Sequence, residues 1–369
     1  MERLGIYIHI PFCLSKCNYC DFVSFSNYND KMEKYTEVLC KEIKNTKIKG
    51  KATSIFIGGG TPTAIPKELL TTVVLAIKEK DCIKDIEFTV EVNPETVDYE
   101  YLKTLYGLGV NRLSFGLQSH DDDILKKIGR VHNFAKFKEV YNLSREIGFN
   151  NINVDLMYNL PSQKEIDWVN TLNEVISLNP EHISAYSLII EENTEFHKQL
   201  SKGEIKMPDE DLYVKFNEIC VEILQDNGYK RYEVSNYAKS GYQCEHNKIY
   251  WKLSDYYGFG LNAHSKVGNT RYSNTSDFDV YLKGDLGREF ESLSIEEVEE
   301  EFIFLGLRMC EGISKIDYES RFKSLFDNKY KEKYSNFIDE GLVIDTKERL
   351  VVTRKGMHVL NYIIESILL

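Results

Sequence analysis

Short β-rich apolar runs alternate with helical patterns along the first half of the chain. Leu4 to Ile10, Ala52 to Ile57, Asp85 to Val92, Arg112 to Phe115, Asn150 to Leu156 and His182 to Leu188 read as strands. Asp30 to Lys44, Pro66 to Lys78 and the segments near 98–107, 121–146 and 164–178 read as helices. Six βα units imply a parallel sheet, with helices on one face and the strands' own side chains meeting on the other, curved or closed like a TIM barrel. A flat doubly wound sheet is the alternative. From about 209 the pattern turns aromatic and loop-rich, through Tyr229, Tyr232, Tyr237, Tyr250, Trp251 and Tyr257. The acidic run Glu296 to Glu301 opens a tail of three helices, two short strands and a last helix, a winged-helix pattern. The expected division is a (β/α)6 core over 1–208, an aromatic α/β cover over 209–288 and a winged-helix-like domain over 289–369.

Composition narrows the function classes. With 369 residues, 42% of them hydrophobic and 28% charged, the chain is an ordinary globular protein of two or three domains. Its 46 basic and 58 acidic side chains leave a net charge of −12, which disfavours non-specific nucleic-acid and anionic-membrane binding. Winged helices often bind DNA, but here residues 290–369 carry 16 acidic side chains against 11 basic ones. No nucleic-acid partner is therefore expected. The start lacks the basic flank and apolar stretch of a signal peptide, and no run approaches the ~20 apolar residues of a transmembrane segment. The expectation is a cytoplasmic protein. Of the eight cysteines, three fall within eight residues, and in a reducing compartment that clustering points to metal or redox chemistry before disulfides.

Those three are Cys13, Cys17 and Cys20, in a loop directly after the first strand. Structural zinc wants four ligands, so His9 or a distant cysteine would have to complete the set. Three thiolates on a 4Fe-4S cluster instead leave one iron open to a small molecule. Polar residues also gather where the strands end, the face on which barrels build active sites. They are Tyr7, the Gly58-Gly59-Gly60-Thr61-Pro62 turn, Glu91, Gln118 and Asp155. Each alone has a bland reading as a turn, a helix cap or a solvated charge, and Arg130 alone reads as a surface residue.

Taken in order, Tyr7 to Cys13, the three cysteines, Gly58 to Thr63, Glu91 to Glu95, Phe115 to Ser119 and Asn153 to Met157 resemble the radical S-adenosylmethionine (SAM) superfamily. The branch is that of oxygen-independent coproporphyrinogen III oxidase, and the similarity spans essentially the whole chain. The resemblance implies a partial TIM-like (β/α)6 radical SAM barrel. It implies a 4Fe-4S cluster on Cys13, Cys17 and Cys20, with the amino and carboxylate groups of S-adenosylmethionine on the fourth iron. Electron donation would cleave that cofactor to methionine and a 5′-deoxyadenosyl radical. By position Tyr7 packs near cluster and adenine, Gly59 and Gly60 meet the amino group, and Glu91 holds the ribose. Thr61, Gln118, Arg130 and Asp155 line the cavity, Arg130 as carboxylate partner, and Tyr186 and Leu188 finish the wall.

Two departures from the oxidase concern its second reactant. Phe22 stands where the oxidase carries a further cysteine, and only 12 residues precede Cys13, where the oxidase has a long leading segment. Both features resemble the heme chaperones of this branch, as does His246-Asn247-Lys248-Ile249-Tyr250-Trp251. The resemblance then implies heme as a third ligand, with His246 the candidate axial base and Cys244 and His264 as alternatives. The partners it implies are heme, a heme-acceptor protein and an electron donor, with a homodimer left open. Oxidative decarboxylation of coproporphyrinogen III in porphyrin biosynthesis remains the alternative function.

Overall fold

The structure is a computed structural model and describes residues 3–369. Its first part runs β1 (Leu4–Ile10), α1 (Met32–Asn45), β2 (Ala52–Gly59), α2 (Lys67–Lys78), β3 (Cys82–Val92), α3 (Tyr99–Gly107), β4 (Arg112–Gln118), α4 (Asp122–Lys127), α5 (Phe134–Ile147), β5 (Ile152–Tyr158), α6 (Glu165–Ser177) and β6 (His182–Ser187). The expected helix over 121–146 is two helices. Gly129, at φ +80°, turns the chain after α4, and Asn133 caps α5 by accepting from the Lys136 N–H. That break carries Arg130.

β1 to β6 pair in parallel and in sequence order. Each strand is two-faced. Ile6, Ile8 and Ile10, Ile55 and Ile57, Leu113, Phe115 and Leu117 are buried in one continuous core beneath the helices. The alternate positions, among them Tyr7, Phe56, Glu91, Ser114, Asp155 and Ser184, face inward and line a cavity. Successive helices pack side by side, α1 on α2, α2 on α3 and α3 on α5, so they share one face. That arrangement excludes the flat doubly wound alternative, which needs helices on both faces.

Next come α7 (Glu195–Ser201), α8 (Glu210–Asp226), β7 (Lys230–Arg231), β8 (Asn236–Ala238), α9 (Glu245–Trp251), β9 (Asp255–Phe259), β10 (His264–Val267), β11 (Thr270–Ser273), α10 (Phe278–Leu282) and β12 (Glu289–Ser292). This region extends the sheet at both edges. β8 and β7 add antiparallel beyond β6, while β9 pairs in parallel with β1 and carries β10, β11 and β12 outward. The result is an open twelve-stranded sheet, a partial barrel. Its aromatic residues are largely core: Tyr229, Tyr237, Tyr257 and Phe259 pack under the helices.

The tail comprises α11 (Ile295–Gly306), β13 (Ile313–Ser314), α12 (Lys315–Phe322), α13 (Phe326–Asp339), β14 (Val343–Asp345), β15 (Arg349–Val352), α14 (Arg354–Met357) and α15 (Leu360–Leu368). Its three strands form a separate sheet over a second core containing Ile303, Tyr318, Phe326, Tyr334, Leu350 and Ile363. Because β12 belongs to the large sheet, we propose the domain division after Ser292 and not before 289. Among the described residues no helix is long and apolar enough to cross a membrane.

Candidate functional site

A cavity of about 670 Å³ opens at the C-terminal ends of the strands. Cys13, Cys17 and Cys20 stand on its wall, together with Tyr7, Gly59, Gly60, Thr61, Glu91, Gln118, Arg130, Asp155, Tyr186 and His246. Residues scattered over more than 200 positions thus converge because each sits at the same level of a neighbouring strand or loop.

The cysteine loop is folded back on β1. Cys13 N–H donates to Phe25 O at 3.0 Å, and Phe25 N–H returns to Pro11 O at 2.7 Å. None of the three thiols is in a disulfide. Burial pushes the Cys13 and Cys20 thiols up, so each holds its proton until a metal displaces it. Thr61 Oγ1 lies 3.7 Å from Cys13 Sγ, and Arg130 Nη1 donates to Cys17 Sγ at 3.6 Å, placing a cation beside a sulfur that carries negative charge when ligating. A Cβ on Gly60 would lie 2.9 Å from Cys13 Sγ and 2.8 Å from Phe12 O, so the turn is moulded to the loop. Three half-buried soft donors in one cavity wall, with a cation beside one of them, fit a 4Fe-4S cluster. His9 does not complete a zinc set: its Nδ1 pairs with Tyr7 Oη at 3.0 Å and its Nε2 with Val23 O at 2.9 Å.

The glycine turn is held by its own amides. Gly60 N–H donates to Ile10 O at 2.9 Å, Thr61 N–H to Phe12 O at 2.8 Å and Gly59 N–H to Glu91 Oε2 at 3.1 Å. What this backbone can still offer an ammonium group is carbonyl oxygen, the acceptor such a group requires. Gly59 sits at φ +119°, and a Cβ there would lie 2.7 Å from the His9 ring, so glycine is required twice over. Burial, and then the nearby Asp155 charge, push the Glu91 carboxyl up to about 8. Asp155 is also raised by burial, although Ser184, Asn153 and Ser114 stabilise its charged form. Gln118, at φ +76°, follows a register shift where β4 meets β5, which turns it onto the cavity wall. Arg130 also donates to Gly116 O, while its buried Nε has no partner.

The floor is a buried polar layer. Asn153 Nδ2 donates to Ser114 Oγ at 2.7 Å and Asp155 Oδ1 at 2.8 Å, and Asn153 Oδ1 pairs with His182 Nδ1 at 2.6 Å. Glu87 accepts the Glu245 and His246 N–H groups at 3.0 Å each, anchoring the start of α9.

One expectation needs correction, and the candidate heme ligands can be placed. Leu188 does not line the cavity. It is buried with Ile124, Leu125, Leu160 and Phe196 beside it, because the chain turns away after Ser187. His246 does line it, but not as a free base: Nδ1 pairs with Ser54 Oγ and Nε2 with Tyr250 Oη, each at 2.9 Å, and its ring stacks on Phe56. Burial first, and then Arg112, hold its pKa near 3, so it is neutral. Of the aromatic side chains of this region Tyr250 lines the cavity, beside His246 and Asn247. Cys244 is buried against Glu87, and His264 is exposed on β10.

Sequence reading missed Phe56, Arg112 and Ser114 and named Asn153, Asn247 and Tyr250 only within motifs, yet all six stand on the cavity wall. A signal was present: Arg112, Ser114 and Gly116, or Asn153, Asp155 and Met157, stand at alternate positions of strands whose other face is apolar.

Comparison with known proteins follows the same line. The Radical SAM superfamily model matches residues 7–175, and the HemN C-terminal domain model matches residues 293–359. A solved structure described as coproporphyrinogen III oxidase (HemN) from Escherichia coli, a radical SAM enzyme, superposes with a TM-score of 0.86 at 22% identity, covering 99% of this chain and 90% of that one. The barrel and its cysteine-lined cavity are those of a radical SAM protein, with a 4Fe-4S cluster and S-adenosylmethionine as cofactors. The heme chaperone HemW of Bacillus subtilis (strain 168) is 37% identical over 360 residues, 95% of each chain. The heme chaperone HemW of Escherichia coli (strain K12) is 32% identical over 378 residues, 100% of this chain and 99% of that one. The chain belongs to the HemW family.

Proposed function

We propose that this protein is a heme chaperone, binding heme and passing it to an acceptor protein, on a radical SAM scaffold. The observation that carries the reading is full-length similarity to proteins named for that activity, together with a cavity that retains the cysteine loop. Decarboxylation of coproporphyrinogen III is not favoured. The structural likeness to that oxidase, at 22% identity, concerns the fold, and Phe22 stands exposed at the cavity mouth in place of the further cysteine.

Cys13, Cys17 and Cys20 would ligate the cluster, which supplies an open iron and an electron source when bound. Glu91 would accept from the ribose hydroxyls and the 59–61 carbonyls from the amino group. The unpartnered Nε of Arg130 would take the carboxylate. Tyr7, Gln118, Asp155 and Tyr186 would shape the wall around the cofactor. His246 can serve as an axial base only if the Tyr250 hydroxyl gives up Nε2. An electron donor, a cytoplasmic site of action and a homodimer complete the proposal.

The test is a hemin titration of the purified protein, run beside an anaerobic coproporphyrinogen assay. Heme binding with no porphyrin product is expected. Protoporphyrinogen IX formed at many turnovers per chain would restore the oxidase reading, and a wild type that binds no hemin would remove the chaperone reading.

A further inference from the structure

Arg112 opens β4 at the bottom of the cavity, four residues before Gly116, where Arg130 is bound. At a strand rise of about 3.3 Å per residue, its backbone lies ~13 Å further down β4 than that of Gly116. It is 1% exposed and contributes to the cavity lining. For a buried guanidinium with five donors it is under-used. Its only side-chain bond among the described residues is a long one, Nη1 to Thr89 Oγ1 at 3.5 Å, and its Nε has no partner.

Glu87 and Asp155 favour its charged form across space, but neither bonds it. Glu87 is committed to the α9 amides, Glu91 to Gly59 N–H and Asp155 to Ser114 and Asn153, and Arg112 forms no ion pair among the described residues. A buried guanidinium with unfilled donors is costly until an acceptor reaches them. A planar oxyanion matches the free edge of a guanidinium, and a carboxylate is the commonest such group.

We propose that Arg112 forms a carboxylate subsite on the cavity floor, separate from the arginine beside the cluster. Resting on the heme-chaperone reading, the occupant is a propionate of heme, with Asn247 and Tyr250 of α9 on the adjoining wall. The same chemistry could be supplied by the carboxylate of an S-adenosylmethionine bound low in the cavity.

Hemin and hemin dimethyl ester, whose propionates carry no charge, are titrated by visible absorption into cluster-reconstituted wild type, Arg112→Gln and Arg112→Lys. S-adenosylmethionine is titrated calorimetrically into the same proteins. Wild type should prefer hemin to its ester by about tenfold or more, the glutamine variant should bind both alike, and the lysine variant should keep part of the preference. A loss of S-adenosylmethionine affinity in Arg112→Gln, with the hemin preference intact, keeps the subsite and assigns it to the cofactor. If wild type binds no hemin, the chaperone reading falls, and the S-adenosylmethionine titration alone decides the subsite. Circular dichroism checks the fold. Should Arg112→Gln misfold, the wild-type comparison of hemin with ester and the lysine variant decide instead. Equal wild-type affinity for hemin and ester, with S-adenosylmethionine binding unchanged in the folded variants, overturns the subsite.

Discussion

Arg130 donates to the sulfur of Cys17 across 3.6 Å, although 113 residues separate them. The arginine comes from the turn between α4 and α5 and reaches the cysteine loop over the mouth of the barrel. Asn18 N–H bonds Ile128 O at 3.0 Å beside it, so that turn and the loop hold each other in place. Arg130→Gln should therefore weaken S-adenosylmethionine binding by about tenfold or more, the worth of a charged hydrogen bond. The variant should still fold, because the backbone bond remains. Unchanged affinity in a calorimetric titration would remove Arg130 from the cofactor site.

The three cysteines should act as a set. Wild type reconstituted under anaerobic conditions should be brown and hold about four irons, and alanine at Cys13, Cys17 or Cys20 should lose most of them. Iron and zinc analysis reads the result. Zinc without iron in wild type prepared this way would return the loop to a structural role.

Gly60 should matter as much as the cysteines it touches. A Cβ there would lie 2.9 Å from Cys13 Sγ and 2.8 Å from the Phe12 carbonyl, and the latter is backbone that cannot swing aside. Gly60→Ala should lower iron incorporation severalfold while leaving all three cysteines in the sequence. Full iron content in the variant would mean that the loop relaxes freely.

Glu91 makes a pH-dependent prediction for the cofactor-free protein. Its carboxyl titrates near 8 in the fold, against 4.5 ordinarily, so the folded state retains a proton that the unfolded chain loses. The sign follows from linkage: stability from this group is fully present below 4.5 and is lost as pH rises toward 8, at an idealised slope of about 1.4 kcal/mol per unit. Glu91→Gln, which cannot ionise, should melt higher than wild type at pH 9 and close to it at pH 4.5. Above pH 8, where the wild-type carboxyl is ionised, the same variant should bind S-adenosylmethionine about tenfold more weakly, because it lacks that charged acceptor. A melting difference that does not change with pH would show that Glu91 is ionised in the fold throughout.

The Tyr250 hydroxyl holds the Nε2 of His246, the nitrogen a heme iron would need. If that nitrogen is the axial base, Tyr250→Phe should tighten hemin binding severalfold, and His246→Ala should change the visible spectrum. Both variants keeping the wild-type spectrum and affinity would move the ligand elsewhere, with Cys244→Ala and His264→Ala as the next titrations.

Much of this protein was legible without coordinates. The six βα units, the three-helix tail with its short hairpin, the cysteine loop and the polar strand residues Tyr7, Glu91 and Asp155 could be read because each is written locally, in periodicity, in spacing or as a polar position in an apolar strand. Leu188 failed for a related reason. It follows the last residue of β6, and the direction of the chain after Ser187 depends on what packs against it, here a core of Ile124, Leu125, Leu160 and Phe196. His246 and Arg112 were decided only by tertiary contacts. Whether an imidazole is a free base or a bonded wall residue depends on Ser54, 192 positions away, which no spacing rule can supply. Arg112 reads as an ordinary strand-opening residue until the inward faces of six strands are brought together. Only then does the shortage of partners appear, because a buried charge can be counted as unpaired only after every neighbour is in place.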